Sequence, residues 1–169
     1  GQAGGSAAWA LRQAGFAGDV VLVGDERHPP YQRPPLSKDV LMGREPRLHF
    51  DMAALGDVDL RLSDPAPRLA SGEVATQSDV LSADSIVLAV GADPIGLPGA
   101  VTLRTHADAR ALYEQLYPGA VVAVIGAGWI GAEVASAAAE AGCLVTVYEA
   151  MSSPLAAAAQ GRDPECMYW

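Results

Sequence analysis

The stretch from residue 120 to residue 150, AVVAVIGAGWIGAEVASAAAEAGCLVTVYEA, constrains this chain more than any other. A β-branched run over 121–125 leads directly into Gly126, Gly128 and Gly131, which have GxGxxG spacing, and a helix of small residues follows. This order predicts a dinucleotide-binding unit, because the first glycine makes a tight turn, the second lets the backbone approach a pyrophosphate, and the third lets the helix pack closely on the strand. The phosphates would face the helix N-terminus, with its unpaired N–H groups and partial positive charge.

The unit closes on Glu149, just after a second β-branched run over 144–147. An acidic residue at this place can bind both ribose hydroxyls, and no arginine follows at 150–152 to receive a 2′-phosphate, so NADH is predicted rather than NADPH. A glycine triplet by itself also marks ordinary turns, and a turn without a ligand is the alternative. The complete order of strand, glycines, helix and strand within about 30 residues favours the dinucleotide.

The start of the chain repeats this pattern from its second glycine onward. Aligning Gly1 and Gly4 with the second and third glycines of the later unit predicts a helix over 6–13, a strand over 20–23 and Asp25 as the ribose-binding acid. A flexible glycine-rich terminus is the alternative. Two such units imply two dinucleotides, and in redox enzymes the usual pair is a flavin and a nicotinamide.

Composition excludes several classes of function. The formal net charge of -9 would repel phosphate backbones, so no nucleic-acid role is expected. No stretch reaches the roughly 18 uninterrupted apolar residues of a membrane helix, and no leader-like segment opens the chain, so a cytoplasmic location is expected. Cys143 and Cys166 form neither a CxxC pair nor a metal quartet, so neither a disulfide framework nor a metal site is predicted. Cys143 is expected to be a small core residue.

A proline-rich segment, HPPYQRPPLSKDVLMG, lies between the two units at 28–43. Its four prolines predict an extended, rigid path, because each fixes φ and biases the preceding residue away from helix. Such an arm can hold Arg33 and Lys38 in fixed places near a cofactor. The alternative is a solvated loop in which these basic side chains have no role.

Two motifs now carry a family resemblance. YQRPPLSK follows the strand end VLVGDE and precedes the second GxGxxG unit, and LRT-x-x-D-A occurs at 103–109. Over nearly everything up to about residue 150 the chain resembles the FAD- and NADH-dependent ferredoxin reductases, the group that includes putidaredoxin and rubredoxin reductases. The resemblance implies FAD and NAD as cofactors and a ferredoxin-type iron–sulfur protein as electron acceptor. The oligomeric state is not predicted.

The resemblance also implies site residues. Lys38 would lie near the flavin ring and stabilise negative charge that develops there. Glu133 would approach both Lys38 and the nicotinamide pocket, and it would keep the Lys38 ammonium charged. These two are the predicted catalytic residues. A solvent-facing helix residue is the alternative for Glu133. The predicted cofactor-binding residues are Gly1, Gly4, Asp25, Glu26, Arg33, Lys38 and Arg104 for FAD, and Gly126, Gly128, Trp129, Ile130, Gly131 and Glu149 for NADH.

The predicted fold class is α/β, with tandem Rossmann-like dinucleotide-binding domains: a partial FAD-binding domain over 1–110 and a partial NAD-binding domain over 111–169. Both are expected to be incomplete, because the chain begins at the second glycine of one fingerprint and stops soon after the second strand of the other. The ending at 160–169 is expected to be unrelated to the family. Residues 86–92, IVLAVGA, are predicted to form a strand and turn near the flavin, with Val90 where the family usually has threonine.

The predicted function is therefore that of an FAD-dependent NADH:ferredoxin oxidoreductase, or part of one. A flavin disulfide reductase is the second enzyme reading, but it needs two redox cysteines near the flavin, and none lies near the proline-rich segment. A single-cysteine NADH oxidase or peroxidase is disfavoured for the same reason. A non-catalytic nucleotide-binding fragment is the alternative from another class.

Overall fold

A computed structural model describes residues 1–44 and 52–155. The predictions for Cys166 and for the ending at 160–169 lie outside the described residues. The chain forms two compact units, one built within Gly1–Gln32 and Arg47–Asp93 and the other within Arg33–Pro46 and Pro94–Trp169. The division into cofactor-binding domains at 1–110 and 111–169 stays a prediction.

The first unit begins with a helix and a short parallel strand pair. Its elements in chain order are α1 (Gln2–Gln13), β1 (Val21–Val23), α2 (Met52–Leu55), β2 (Asp59–Arg61), β3 (Arg68–Ala70), β4 (Glu73–Ala75) and β5 (Val80–Ser82). Strands β1 and β2 pair in parallel, with Leu22 opposite Leu60. Helix α1 packs on β1 through Gly4, where an added Cβ would lie 3.2 Å from the Leu22 side chain. The predicted helix and strand are thus present at the start of the chain.

Strands β3, β4 and β5 form an antiparallel sheet of three strands. Asp64, just before this sheet, is buried, and its carboxylate accepts hydrogen bonds from the Ser78 hydroxyl at 2.6 Å and from the Ser78 amide at 3.0 Å. These bonds lower the pKa of Asp64, the hydroxyl bond having the largest effect. The Asp64 amide in turn donates to the Gly24 carbonyl at 3.0 Å, so this aspartate links the small sheet to the end of β1.

The strand predicted at 86–92 does not form. These residues have no strand assignment, and the Val90 side chain is 88% exposed. A strand is stabilised by ladder hydrogen bonds to a neighbour, and within the described residues no strand pairs with this segment. The β propensity of Ile86, Val87 and Leu88 is therefore insufficient by itself.

The second unit contains the complete strand–helix–strand pattern. Its elements are α3 (His106–Tyr113), β6 (Val121–Ile125), α4 (Trp129–Glu140) and β7 (Leu144–Tyr148). Strands β6 and β7 pair in parallel over five residues, from Val121 opposite Leu144 to Ile125 opposite Tyr148. Cys143 is buried beside Ala138 in the core between α4 and the sheet, as expected for a small core residue.

The proline-rich segment departs from the extended path that its prolines predicted. Pro34–Ser37 and Val40–Met42 are short 3₁₀ helices, which we name the first and second arm helices. Proline suits the first turn of a helix, because its φ is already helical and its missing N–H would be unpaired there anyway. Leu36 and Leu41 are buried, and both arm helices pack against α4.

None of the helices within 1–44 and 52–155 combines the length and the apolar character that a membrane crossing requires.

Candidate dinucleotide and flavin site

The glycine loop of the second unit runs from the end of β6 to the start of α4. Gly126 has a φ of 94°, which a residue with a side chain rarely adopts, and its amide extends the sheet by donating to the Tyr148 carbonyl at 2.8 Å. Gly128 is the N-cap of α4, and a Cβ placed on it would meet nothing within 4 Å. The space beside this cap is therefore open to a ligand.

Gly131 has a different role from Gly128. A Cβ placed on Gly131 would overlap the carbonyl oxygen of Gly126 and lie 3.5 Å from Val124 Cγ1. Its missing side chain lets α4 approach β6, which is the third glycine's predicted task. Gly4 repeats this close approach in the first unit.

Trp129 and Ile130 follow the cap in the first turn of α4, and their side chains are 59% and 55% exposed. Their proposed contact with a nucleotide stays a prediction.

Glu149 lies against the glycine loop. One carboxylate oxygen accepts from the Ala127 amide at 2.6 Å and the other from the Met151 amide at 2.8 Å. The Met151 and Ala127 bonds lower the pKa of Glu149, so the side chain is an anion at neutral pH. The ribose-binding acid predicted from the sequence is thus held by backbone donors at the end of β7.

The two predicted catalytic side chains meet within the second unit. Lys38 Nζ lies 3.3 Å from Glu133 Oε1, and the two side chains are 52% and 28% exposed. The other Glu133 oxygen, Oε2, accepts a hydrogen bond from the Ser37 hydroxyl. Lys38 follows the first arm helix and Glu133 lies on α4, so the packing of the arm on α4 brings them together.

The arm also reaches the LRT-x-x-D-A motif. Arg33 Nη1 donates to the Arg104 carbonyl oxygen. Thr105 and Asp108 form a capping box at the start of α3: the Thr105 hydroxyl accepts from the Asp108 amide, and the Asp108 carboxylate accepts from the Thr105 amide at 2.7 Å. Ala109, the last residue of the motif, is fully buried.

The same carboxylate accepts from the Arg104 amide at 3.0 Å. Burial would raise the pKa of Asp108, but the bonds from Thr105 and Arg104, together with the charge of Arg33, lower it below its usual value. The LRT-x-x-D-A motif therefore begins α3 and fixes the backbone of Arg104. Contact of the Arg104 side chain with FAD stays a prediction.

Three of the four predicted FAD residues of the first unit line one small depression, and Gly4 does not. Gly1, Asp25 and Glu26 share it with Tyr31 and Leu62. Asp25 is exposed, whereas Glu26 accepts a hydrogen bond from the Tyr31 hydroxyl at 2.5 Å. Gly1 caps α1, and its carbonyl accepts from the Gly5 amide at 3.0 Å.

These residues fit the two cofactors. A helix N-terminus with an uncrowded glycine cap suits a pyrophosphate, and a carboxylate beside it suits a ribose diol. Both features occur at Gly128 with Glu149. In the first unit, Gly1 caps α1 and lines the same depression as Asp25.

Sequence reasoning missed three polar side chains that the structure assigns a clear contact. Ser37 bonds Glu133, Tyr31 bonds Glu26, and Asp108 caps α3. The T-x-x-D spacing at 105–108 is a recognisable capping signature and could have revealed the last. The contact of Ser37 joins residues 96 positions apart and has no local signal.

The model of the pyridine nucleotide-disulphide oxidoreductase family matches residues 1–165. Rhodocoxin reductase of Rhodococcus erythropolis is 39% identical over 94% of the chain, and the ferredoxin–NAD(+) reductase subunit of the benzene 1,2-dioxygenase system of Pseudomonas putida is 36% identical over 89%. The chain spans about 40% of the length of each.

Among solved structures, the covalent putidaredoxin reductase–putidaredoxin complex matches with a TM-score of 0.82 and 30% identity, over 91% of this chain and 42% of that one. This likeness confirms the predicted α/β class with dinucleotide-binding units of the reductase type. The recognition from YQRPPLSK and the GxGxxG unit is also confirmed. The chain belongs to the pyridine nucleotide-disulphide oxidoreductase family.

Proposed function

We propose that this chain is the part of an NADH:ferredoxin oxidoreductase that binds FAD and NADH. The observation that carries the proposal is the Lys38–Glu133 ion pair, formed between the proline-rich segment and the helix that begins at the glycine loop. A nucleotide loop alone would be consistent with many activities. The Lys38–Glu133 pair on the same helix adds a cation that can stabilise the negative charge of a reduced flavin.

Bound FAD would accept a hydride from NADH and deliver electrons singly to an iron–sulfur protein. The chain's own residues prepare that exchange. The α4 N-terminus and Gly128 hold the NADH phosphates, and Glu149 holds the ribose. Gly1 and Asp25 do the same for FAD, and the Lys38 ammonium opposes negative charge that develops at the flavin.

The names of the similar proteins support this proposal. The Pseudomonas putida relative is named as a ferredoxin–NAD(+) reductase subunit, and the solved complex joins putidaredoxin reductase with putidaredoxin. We therefore propose a ferredoxin-type protein as the electron acceptor. We also propose the cytoplasm as the location, as expected from the sequence. The preference for NADH over NADPH rests on Glu149 and on the absence of an arginine at 150–152.

The first test is the visible absorption spectrum of the purified chain with added FAD, before and after anaerobic NADH. A bound flavin spectrum that bleaches with NADH is the expected result. Lys38→Met should slow the bleaching, whereas Arg44→Met, which removes an exposed cation paired with Asp39, should not. Absence of bound flavin, or a bound flavin that NADH does not bleach, would contradict the proposal.

One observation favours a second candidate function, nucleotide binding without electron transfer. The segment at 86–92, predicted to lie near the flavin, has no strand structure. Val90 carries a methyl group where the threonine usual in the resembled family carries a hydroxyl. This candidate predicts that NADH binds while FAD does not. Calorimetric titration with each nucleotide separates the two candidates.

A further inference from the structure

Ser37 is a buried hydroxyl beside the ion pair. It is the last residue of the first arm helix, and only 6% of its surface is exposed. Its hydroxyl donates to Glu133 Oε2, while Lys38 lies against Glu133 Oε1. The two carboxylate oxygens therefore have different partners, one neutral and buried, the other cationic and half exposed.

The backbone holds Ser37 in place. Leu36 on one side and Val40 on the other are buried, and the Lys38 amide donates to the Pro35 carbonyl at 3.1 Å. Lys38, by contrast, has a long side chain with several rotatable bonds and half of its surface in water. Of the two partners of Glu133, Ser37 is thus the more firmly positioned.

Energetics favour Ser37 as the group that orients the carboxylate. An ion pair this exposed contributes little by itself, because solvent screens it and both side chains lose rotamer freedom. A hydrogen bond from a buried hydroxyl to a carboxylate is stronger and more directional. Without it, Glu133 would rotate about its side-chain torsions and leave Lys38 unpaired for more of the time.

We propose that Ser37 is a positioning residue, which orients Glu133 so that Oε1 stays directed at the Lys38 ammonium. The functional meaning of this inference rests on the proposed function, since a fixed Lys38 ammonium matters where negative charge develops on a flavin. The contact itself concerns only residues of this chain, and its test needs no flavin.

Lys38 is the chain's single lysine, which makes a direct measurement possible. The rate constant for reductive methylation of its side-chain amine, which must first lose its proton, would be measured by mass spectrometry at limiting reagent, with N-acetyl-lysine as an internal competitor. Because a paired ammonium reacts more slowly and an exposed pair is worth at most about 1 kcal/mol, Ser37→Ala should raise the rate constant about threefold to fivefold. Ser37→Thr, which keeps the hydroxyl, should stay within about twofold of the wild type.

Two controls separate positioning from packing. Ser37→Cys fills the same space but replaces the hydroxyl with a weak donor, so it should behave like Ser37→Ala if the hydrogen bond matters and like the wild type if volume matters. Ser136→Ala removes a hydroxyl on α4 that donates to the Ala132 carbonyl, and it should leave the rate constant unchanged.

Epistasis supplies the decisive result. Glu133→Gln should raise the methylation rate constant, and adding Ser37→Ala should raise it no further, because Ser37 acts through Glu133. Additive effects in the double variant, or a wild-type rate in Ser37→Ala, would overturn the proposal. Failure to bind FAD would refute the proposed function and leave this result untouched.

Discussion

Gly131 and Gly128 lie three residues apart in one motif, but the structure predicts opposite consequences for the same substitution. In Gly131→Ala the new Cβ would overlap the Gly126 carbonyl oxygen, which is backbone and cannot rotate away. The first turn of α4 must then move away from β6. In Gly128→Ala the new Cβ meets nothing within 4 Å, and the φ of -72° and ψ of -174° are ordinary extended backbone.

The magnitudes follow from packing and helix propensity. Overpacking costs about 1–3 kcal/mol, and the gain from replacing glycine inside a helix offsets up to about 1 kcal/mol of this. Because the overlap is with a backbone atom, the cost lies at the upper end of this range. Gly131→Ala should therefore lower the free energy of unfolding by about 2–3 kcal/mol, which moves the urea midpoint by roughly 1–1.5 M at a slope of about 2 kcal/mol per M. Gly128→Ala should stay within about 0.5 kcal/mol of the wild type.

Two assays test the pair. Urea unfolding followed by far-UV circular dichroism gives the stabilities, and calorimetric titration gives the affinity for NADH. Gly128→Ala should weaken NADH binding at least about tenfold, since the methyl group occupies the path of the pyrophosphate. The reasoning is refuted if Gly131→Ala is as stable as the wild type, or if Gly128→Ala keeps full affinity.

Four further predictions concern the α3 capping box and three carboxylates. Thr105→Ala should destabilise α3 by about 1 kcal/mol in thermal melts, since it removes one half of the capping box. The pKa of Asp108 is lowered in the folded state. The ionised carboxylate therefore stabilises the fold fully above the usual carboxyl pKa of about 4, and this stabilisation is lost as the pH falls through the lower folded-state pKa. The loss in free energy of unfolding caused by Asp108→Asn should accordingly shrink between pH 7 and pH 2. Ser78→Ala should return the pKa of Asp64 towards its usual value in a carboxyl-carbon NMR titration, and an unchanged titration would contradict the assigned cause. Glu149→Gln should speed hydrogen exchange at the Ala127 amide and weaken NADH binding, and unchanged exchange would show that the carboxylate bond is unimportant.

The second unit was the most predictable part of the fold. Its strands over 121–125 and 144–147 and its helix match the expected positions closely, because valine-rich runs, glycine sterics and small helical residues act over a few neighbouring positions. The helix and strand at the start of the first unit were predicted by aligning it with the second unit. Strand β1 spans Val21–Val23, against the expected 20–23.

Prediction failed where the outcome depended on partners distant in sequence. The segment at 86–92 has strand propensity but no paired neighbour among the described residues, and the prolines at 34 and 35 start a helix because Leu36 and Leu41 are buried against the second unit's helices. Propensity measures only the local preference, and tertiary packing overrides it.

The sequence by itself determined the nucleotide fingerprints, the acids that follow them and the family, since each depends on residue type at short spacing. The approach of Glu133 to Lys38 was expected, but only through the family resemblance. Only the tertiary structure decided that Ser37 bonds the other Glu133 oxygen, and that Glu149 bonds the amide of Ala127. The physical reason is that these contacts depend on interatomic distance. A hydrogen bond requires atoms within about 3 Å, and for residues far apart in the chain that distance is set by the packing of whole elements.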